Sequence, residues 1–364
     1  MKNTFGNSVS MTVFGESHGF GVGVVLDGVA PGIEVDEQFI KAQLARRAPS
    51  LSTDTARRES DDFQIVSGVF QGMTTGSPLC IIIPNHDQKS KDYDYGVARP
   101  SHADYTAFCK YHGFEDYRGG GHFSGRVTAG IVAGGAILIG ALKKLGIEIG
   151  THILECANLR DKGFYDVKND ISTLQNAKFP TLDQKVGQDM TKAIEDAKAH
   201  CDSVGGVVET AIVGVPEGVG EPWFDSVEGV LSHALFSIGA VKGVEFGDGF
   251  AISKKTGSQA NDAMRIKDGE VVFESNNNGG VNGGITNGAP IIFRCAVKPT
   301  PSIAQEQKTI DFVKNEDALI AVKGRHDPCI VRRICPVVDA IGALCVCDLL
   351  AQRYGTDVLK NGVE

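Results

Sequence analysis

A chain of 364 residues, 42% hydrophobic and 22% charged, has the make-up of a globular protein large enough for one large domain or two ordinary ones. Its formal net charge of −9 excludes a nucleic-acid or anionic-membrane surface as the main partner, because such binding needs a basic stripe that releases counterions. Any anionic substrate must therefore meet a local cationic pocket. The N-terminus lacks an apolar core of signal-peptide length, and the longest apolar run, 128–142, is short and Gly/Ala-rich. This predicts a cytoplasmic protein without a membrane span. Nine cysteines without CxxC spacing predict reduced, mostly buried thiols, and no Cys/His cluster offers a zinc site.

In chain order, β-branched runs predict strands at 22–28, 63–70, 78–84, 206–215, 241–247 and 289–297. Helical periodicity marks 36–47, 124–145, 182–200, 224–238 and 336–353. The elements mix α and β without strict βαβ alternation. Residues 21–44 and 205–235 echo each other: a strand, a Val-Pro-Gly type turn, an acidic helix start, then apolar residues at helical spacing. A duplicated unit predicts two pseudo-symmetric halves with helices packed between or against sheets. No Pro/Ser-rich linker divides them, so 1–364 is read as a single domain.

Glycine numbers 45, with no collagen period and no Ser/Gln bias, so it serves turns and close backbone approaches. Four polar segments use it. In 12–29, Glu16, Ser17 and His18 interrupt a glycine run. Residues 98–126 carry Arg99, His102, Asp104, Arg118, His122, Ser124 and Arg126 around Gly119, Gly120 and Gly121. A Gly loop before a helix N-terminus is either an anion site or a flexible loop capped by Ser124. The stretch 275–291, with "KPTPS" at 298–302, has amides, glycines and hydroxyls able to cradle a phosphate or a heterocycle edge. In 322–333, Pro328 holds Asp327 extended, which fixes where its carboxylate points.

"FGESHG", "RPSHADYT" followed by "YRGGG", "GGITNGAPI" with "KPTPS", and "GRHDPC" resemble, in order and over nearly the whole chain, the signatures of the chorismate synthase family. The resemblance implies an α/β sandwich, helices enclosed between sheets, assembled as a homotetramer. It also implies 1,4-anti elimination of phosphate from 5-enolpyruvylshikimate 3-phosphate to give chorismate, with reduced FMN required but no net redox change. By the same resemblance, His18 and His102 act as acids, and Ser17 and Asp327 take a proton from the flavin. Arg46, Arg99, Arg126 and Arg325 meet substrate anions, with Arg325 bridging to the flavin. Flavin contacts fall on His122, Phe123, Ser124, Gly239, Ala240, Gly283, Lys298, Pro299, Thr300, Pro301, Ser302 and Arg325.

Two positions depart from the family pattern: Ser52 stands where a second substrate arginine is common, and His122 replaces an arginine. No added reductase segment is visible, which implies an external source of reduced flavin. Two other classes are weighed against this reading. A non-catalytic FMN or phosphometabolite binder need not keep Ser17, His18, His102 and Asp327, and all four are present. A flavin oxidoreductase with net hydride transfer requires a nicotinamide site, and no GxGxxG follows a strand.

Overall fold

The β-branched runs form two five-stranded antiparallel sheets with helices held between them, in a computed structural model that describes residues 2–55, 60–86, 95–175, 177–323 and 326–363. In spatial order the first sheet is Thr4–Phe5, Ser10–Gly15, Gly21–Asp27, Leu79–Pro84 and Gln64–Ser67. The second is Val241–Phe246, Ile291–Val297, Gly206–Val213, Glu148–Cys156 and Leu159–Arg160. Helices in chain order are α1 (Glu37–Arg47), α2 (Asp104–Tyr111), α3 (Thr128–Lys144), α4 (Val167–Leu174), α5 (Gln184–Ala199), α6 (Val227–Leu235), the single turn α7 (Gly257–Ala260), α8 (Val331–Tyr354) and α9 (Val358–Asn361).

The internal echo has a structural meaning. Gly21–Asp27 and Gly206–Val213 are the middle strands of their sheets, and each leads into a helix, α1 or α6. Each middle strand has an earlier strand of the chain on one side, Ser10–Gly15 or Glu148–Cys156. On the other side lies a later strand, Leu79–Pro84 or Ile291–Val297, and beyond it Gln64–Ser67 or Val241–Phe246. Each half then closes with a long helix, α3 or α8. Four of the five strands in each sheet thus repeat one order, while the fifth differs, Thr4–Phe5 preceding its neighbour in the chain and Leu159–Arg160 following it; the shared order is the pseudo-symmetry expected from the duplicated unit.

α3 packs on the first sheet and on α8, and α8 packs on the second sheet, so the layers run sheet, helices, sheet. One apolar core joins Val24 and Ile81 of the first sheet, Leu138 of α3, Leu344 of α8, and Ile153 and Val208 of the second. α8, and α3 together with the 3-10 turn before it (Gly125–Lys144), are long and apolar enough to cross a membrane, but the apolar stretch of α8 is wholly buried in the fold and that of Gly125–Lys144 mostly so. α8 begins at Val331, before the expected 336, although Pro336 in its interior cannot donate to the carbonyl one turn back. Val331, Ile334 and Cys335 are buried on the core side, and that burial holds the first turn in place.

Glycines in α3 set the close approach of the layers despite their cost of about 1 kcal/mol each in a helix. A methyl on Gly135 would lie 2.2 Å from the Ala340 Cβ of α8, and one on Gly130 would lie 2.6 Å from the Gly23 carbonyl oxygen. Gly140 has nothing within 4 Å of that position. Gly135→Ala should therefore destabilise by about 1–3 kcal/mol through overpacking, whereas Gly140→Ala should stabilise by up to about 1 kcal/mol. Urea denaturation of the pair checks this; equal effects would show that the α3–α8 crossing does not require glycine.

Across the second sheet, on the face opposite to Ile149 and Ile153, four directly paired residues form a charge ladder: His152, Glu209, Arg294 and Glu245. His152 Nε2 lies 3.0 Å from Glu209, and Arg294 reaches Glu209 and Glu245 at 2.8 Å each. Burial alone would push the His152 imidazole down, but the Asp161 carboxylate, 3.6 Å from Nδ1, and the hydrogen bond to Glu209 outweigh it and hold its pKa above the ordinary value.

Candidate functional site

The first sheet delivers Ser17 and His18 at the end of Ser10–Gly15, and both are buried. Two hydrogen bonds stitch this turn to the loop at 119–122. The Ser17 N–H donates to the Gly121 carbonyl at 3.0 Å, and His122 Nδ1 donates to the Gly15 carbonyl at 2.8 Å. Gly119, Gly120 and Gly121 all take left-handed backbone, with φ of 62°, 81° and 53°. A methyl on Gly119 would sit 2.6 Å from the His18 ring and 3.0 Å from Ser17 Oγ, while one on Gly120 would sit 3.1 Å from His102 Cε1. The thinned backbone therefore runs between His18 and His102, which accounts for the glycines around polar side chains in both segments. Ser124 accepts from the Arg126 N–H and caps a short 3-10 turn, Gly125–Val127, so α3 starts at Thr128 rather than at 124.

His102 and Arg99 share one carboxylate. Asp104 accepts from Arg99 Nε at 2.8 Å and Nη2 at 2.7 Å, and lies 2.8 Å from His102 Nδ1. Burial would raise its pKa, but the bonds from Arg99 and His102 hold it well below the usual carboxylate range. Arg126 and Arg47 share a second carboxylate: Arg47 reaches Asp61 at 2.8 Å, and Arg126 pairs with its other oxygen. Arg126 also donates to Asn85 at 2.9 Å and to the Pro84 carbonyl at 3.1 Å. Asp327 accepts from the Thr55 N–H at 2.9 Å and pairs with Arg333.

These groups converge on a cavity of about 240 Å³ walled by Arg47, Arg99, Arg126 and Arg333, with His102, His326 and Asp327, and by Gly119, Ser124, Gly239, Thr300 and Ser302. It is the local cationic pocket that the acidic chain requires for an anionic ligand. Burial, with the Arg99 guanidinium nearby, pushes the His326 imidazole below its ordinary value despite its bond to the Lys323 carbonyl. The Thr300 hydroxyl is buried on this wall with no hydrogen-bond partner among the described residues. A second cavity, about 350 Å³, shares Arg99 and His102 and is walled by Tyr95, Tyr117, Phe123 and Phe312.

Other expected positions fall elsewhere. Arg46 bonds Gln43 and Asp339 and faces a separate groove with Lys178 and Arg332. Its neighbour Arg47 lines the cationic cavity instead. The signal was available: Ile40, Gln43, Leu44 and Arg47 form the buried i, i+3, i+4, i+7 face of α1. Ser52 bonds Glu195 at 2.8 Å and accepts from Lys198, tying its loop to α5. His122 serves the Gly15 carbonyl and is not on the cavity wall. Gly283 sits at an exposed hairpin turn with open space around it. Ala240, at φ 78°, accepts from the Lys298 N–H, and Lys298 Nζ donates to the Ser101 carbonyl at 2.6 Å, locking 298–302 against the His102 segment. Pro299 is exposed and Pro301 half-buried. Arg325 lies outside the described residues. Asp104 belongs to the polar segment 98–126, whereas no local pattern marks Asp61, Asn85 or Arg333, whose partners in the site lie elsewhere in the chain.

The family model described as chorismate synthase matches residues 9–351. Chorismate synthase from Pyrococcus abyssi is 45% identical over 96% of this chain and 97% of its own length. That from Agathobacter rectalis is 44% identical over 97% and 96%. A crystal structure of chorismate synthase superposes with a TM-score of 0.75 at 28% identity, covering 96% of this chain and 94% of the other. A match of this extent in sequence and in fold, around a cavity of four arginines and two histidines, shows that the chain belongs to the chorismate synthase family.

Proposed function

We propose that the protein converts 5-enolpyruvylshikimate 3-phosphate to chorismate by 1,4-anti elimination of phosphate, as a cytoplasmic lyase that uses reduced FMN without consuming it. The observation that carries this reading is the four-arginine cavity beside His18 and His102 in a chain of net charge −9. A substrate with two carboxylates and a phosphate matches a wall of guanidinium groups, whose planar forks bind such anions in pairs.

The residues present fit FMN. The unpartnered Thr300 hydroxyl offers a polar contact, the glycine loop admits close backbone approach, and the aromatic cavity suits a planar ring. Ser124, Gly239, Thr300 and Ser302 would hold it. When bound, it supplies electron density to the allylic system. Arg47 and Arg126, held by Asp61, and Arg99, held by Asp104, orient the anionic groups. His102 gives a proton to the departing phosphate, and His18, packed on Gly119, supplies a second acidic group. Ser17 and Asp327 complete the proton path. The unit acts as one domain of 364 residues within a homotetramer fed by an external flavin source.

The test is anaerobic: substrate plus dithionite-reduced FMN should yield chorismate absorbance and phosphate, with no stoichiometric loss of reduced flavin. His18→Ala and His102→Ala should each lose about 10²- to 10⁴-fold in rate while still folding. Turnover at the same rate with oxidised FMN would overturn the reading, and near-native turnover by either variant would remove that histidine from the mechanism.

A further inference from the structure

We infer that Asp104 is a positioning residue that fixes the tautomer of His102, holding the proton on Nδ1 and presenting Nε2 to the cavity. This rests on the proposed role of His102 but is argued from geometry alone. Asp104 Oδ1 lies 2.7 Å from Arg99 Nη2 and 2.8 Å from His102 Nδ1. A carboxylate without a proton can only accept, and a guanidinium can only donate. Both groups around Oδ1 must therefore be donors, so His102 Nδ1 carries hydrogen. The 3.1 Å separation of Arg99 Nη2 and His102 Nδ1 is then the spacing of two donors converging on one oxygen.

The support extends one step further back. The Asp104 carboxylate also accepts from the Arg99 backbone N–H at 2.9 Å, and Asp104 is the first residue of α2, where the helix end favours negative charge. Three N–H groups of Arg99 thus clamp the carboxylate in one orientation. The other ring edge of His102 packs on Gly120, with Cε1 3.1 Å and Nε2 3.4 Å from the position of a methyl there. The imidazole is therefore fixed at both edges, and Nε2 is the nitrogen left to exchange a proton with a ligand. The short motif of Arg99, His102 and Asp104 is one constructed unit in which the arginine orients the aspartate and the aspartate orients the histidine.

The direct test is nitrogen-15 NMR of histidine-labelled protein without ligands, in native protein, Asp104→Asn and Asp104→Glu. Native His102 should show Nδ1–H with Nε2 as the unprotonated nitrogen when neutral. Asp104→Asn should populate the Nε2–H form and lower kcat in the anaerobic assay by about 10²- to 10⁴-fold, with KM changed far less. Asp104→Glu should recover the native tautomer and part of the rate. An Nε2–H tautomer in the native protein overturns the inference, and this measurement stands even if the asparagine variant does not fold. An unchanged tautomer in a folded Asp104→Asn protein overturns it as well. Because the spectra do not depend on turnover, a protein with the expected tautomers but no chorismate formation would count against the proposed reaction and not against the role of Asp104.

Discussion

Gly119→Ala should abolish most turnover while leaving the fold intact. The added methyl would lie 2.6 Å from the His18 ring, and the residue has φ of 62°. Alanine in left-handed backbone costs about 1–2 kcal/mol, which a domain of this size tolerates. The contact with His18 cannot be relieved in place, since His18 is itself buried and Ser17 Oγ stands 3.0 Å from the same methyl. The imidazole or the loop must move by about an ångström, and misplacement on that scale costs about 10²-fold in rate. The check is kcat under reduced flavin alongside thermal denaturation. Native turnover in a folded variant would show that His18 does not need its present position.

The largest stability effect is expected at Asp61. Its carboxylate serves Arg47 and Arg126 together, and all three side chains are buried. Asp61→Asn leaves two cations facing a neutral amide, and loss of one partner from a buried ion pair costs about 3–5 kcal/mol. The pH dependence follows from the same contacts. Burial would raise the Asp61 pKa, but Arg47 and Arg126 bring it below the ordinary value. A depressed folded-state pKa means that this stabilisation is complete above the unfolded value, about 3.9, and is lost as pH falls through the folded one. Urea denaturation should therefore find the two proteins far apart at pH 7 and drawing together below about pH 4. A constant difference down to the lowest pH at which both fold would show that the carboxylate charge is not what the arginines need.

Much of this was legible in the sequence because it is local. The middle strands were visible as β-branched runs, and the duplicated unit as an echo. The glycines of 119–121 announced a backbone conformation that other residues rarely adopt, and the structure sets imidazoles against two of them, Gly119 and Gly120. What was not legible depends on partners far along the chain. His122 reads as a replacement for an anion-binding arginine, yet its bond goes to a carbonyl 107 residues away. The strand Glu148–Cys156 shows no alternation because both its faces are buried. Pro336 reads locally as the start of a helix, and burial of Val331, Ile334 and Cys335 carries the helix a turn further back. The exchange of Arg46 for Arg47 is a different kind of miss, since the phase of α1 already pointed Arg47 inward.

The ladder of His152, Glu209, Arg294 and Glu245 bears on how the chain finds this fold at all. A sheet whose strands are mostly Val, Ile and Ala can slide by two residues and keep its apolar face inward. Here each strand of the four contributes one charged or ionisable residue at one level, alternating in sign when His152 is protonated. A two-residue slip between Gly206–Val213 and Ile291–Val297 would set Glu209 opposite Ile292 or Ala296 and strand Arg294 beside Ala211 or Val207. Glu209 would keep His152 but lose the Arg294 guanidinium, and loss of one partner from a nearly buried ion pair is worth several kcal/mol against such a state. The ladder works as an alignment mark that singles out one pairing among several of similar apolar content.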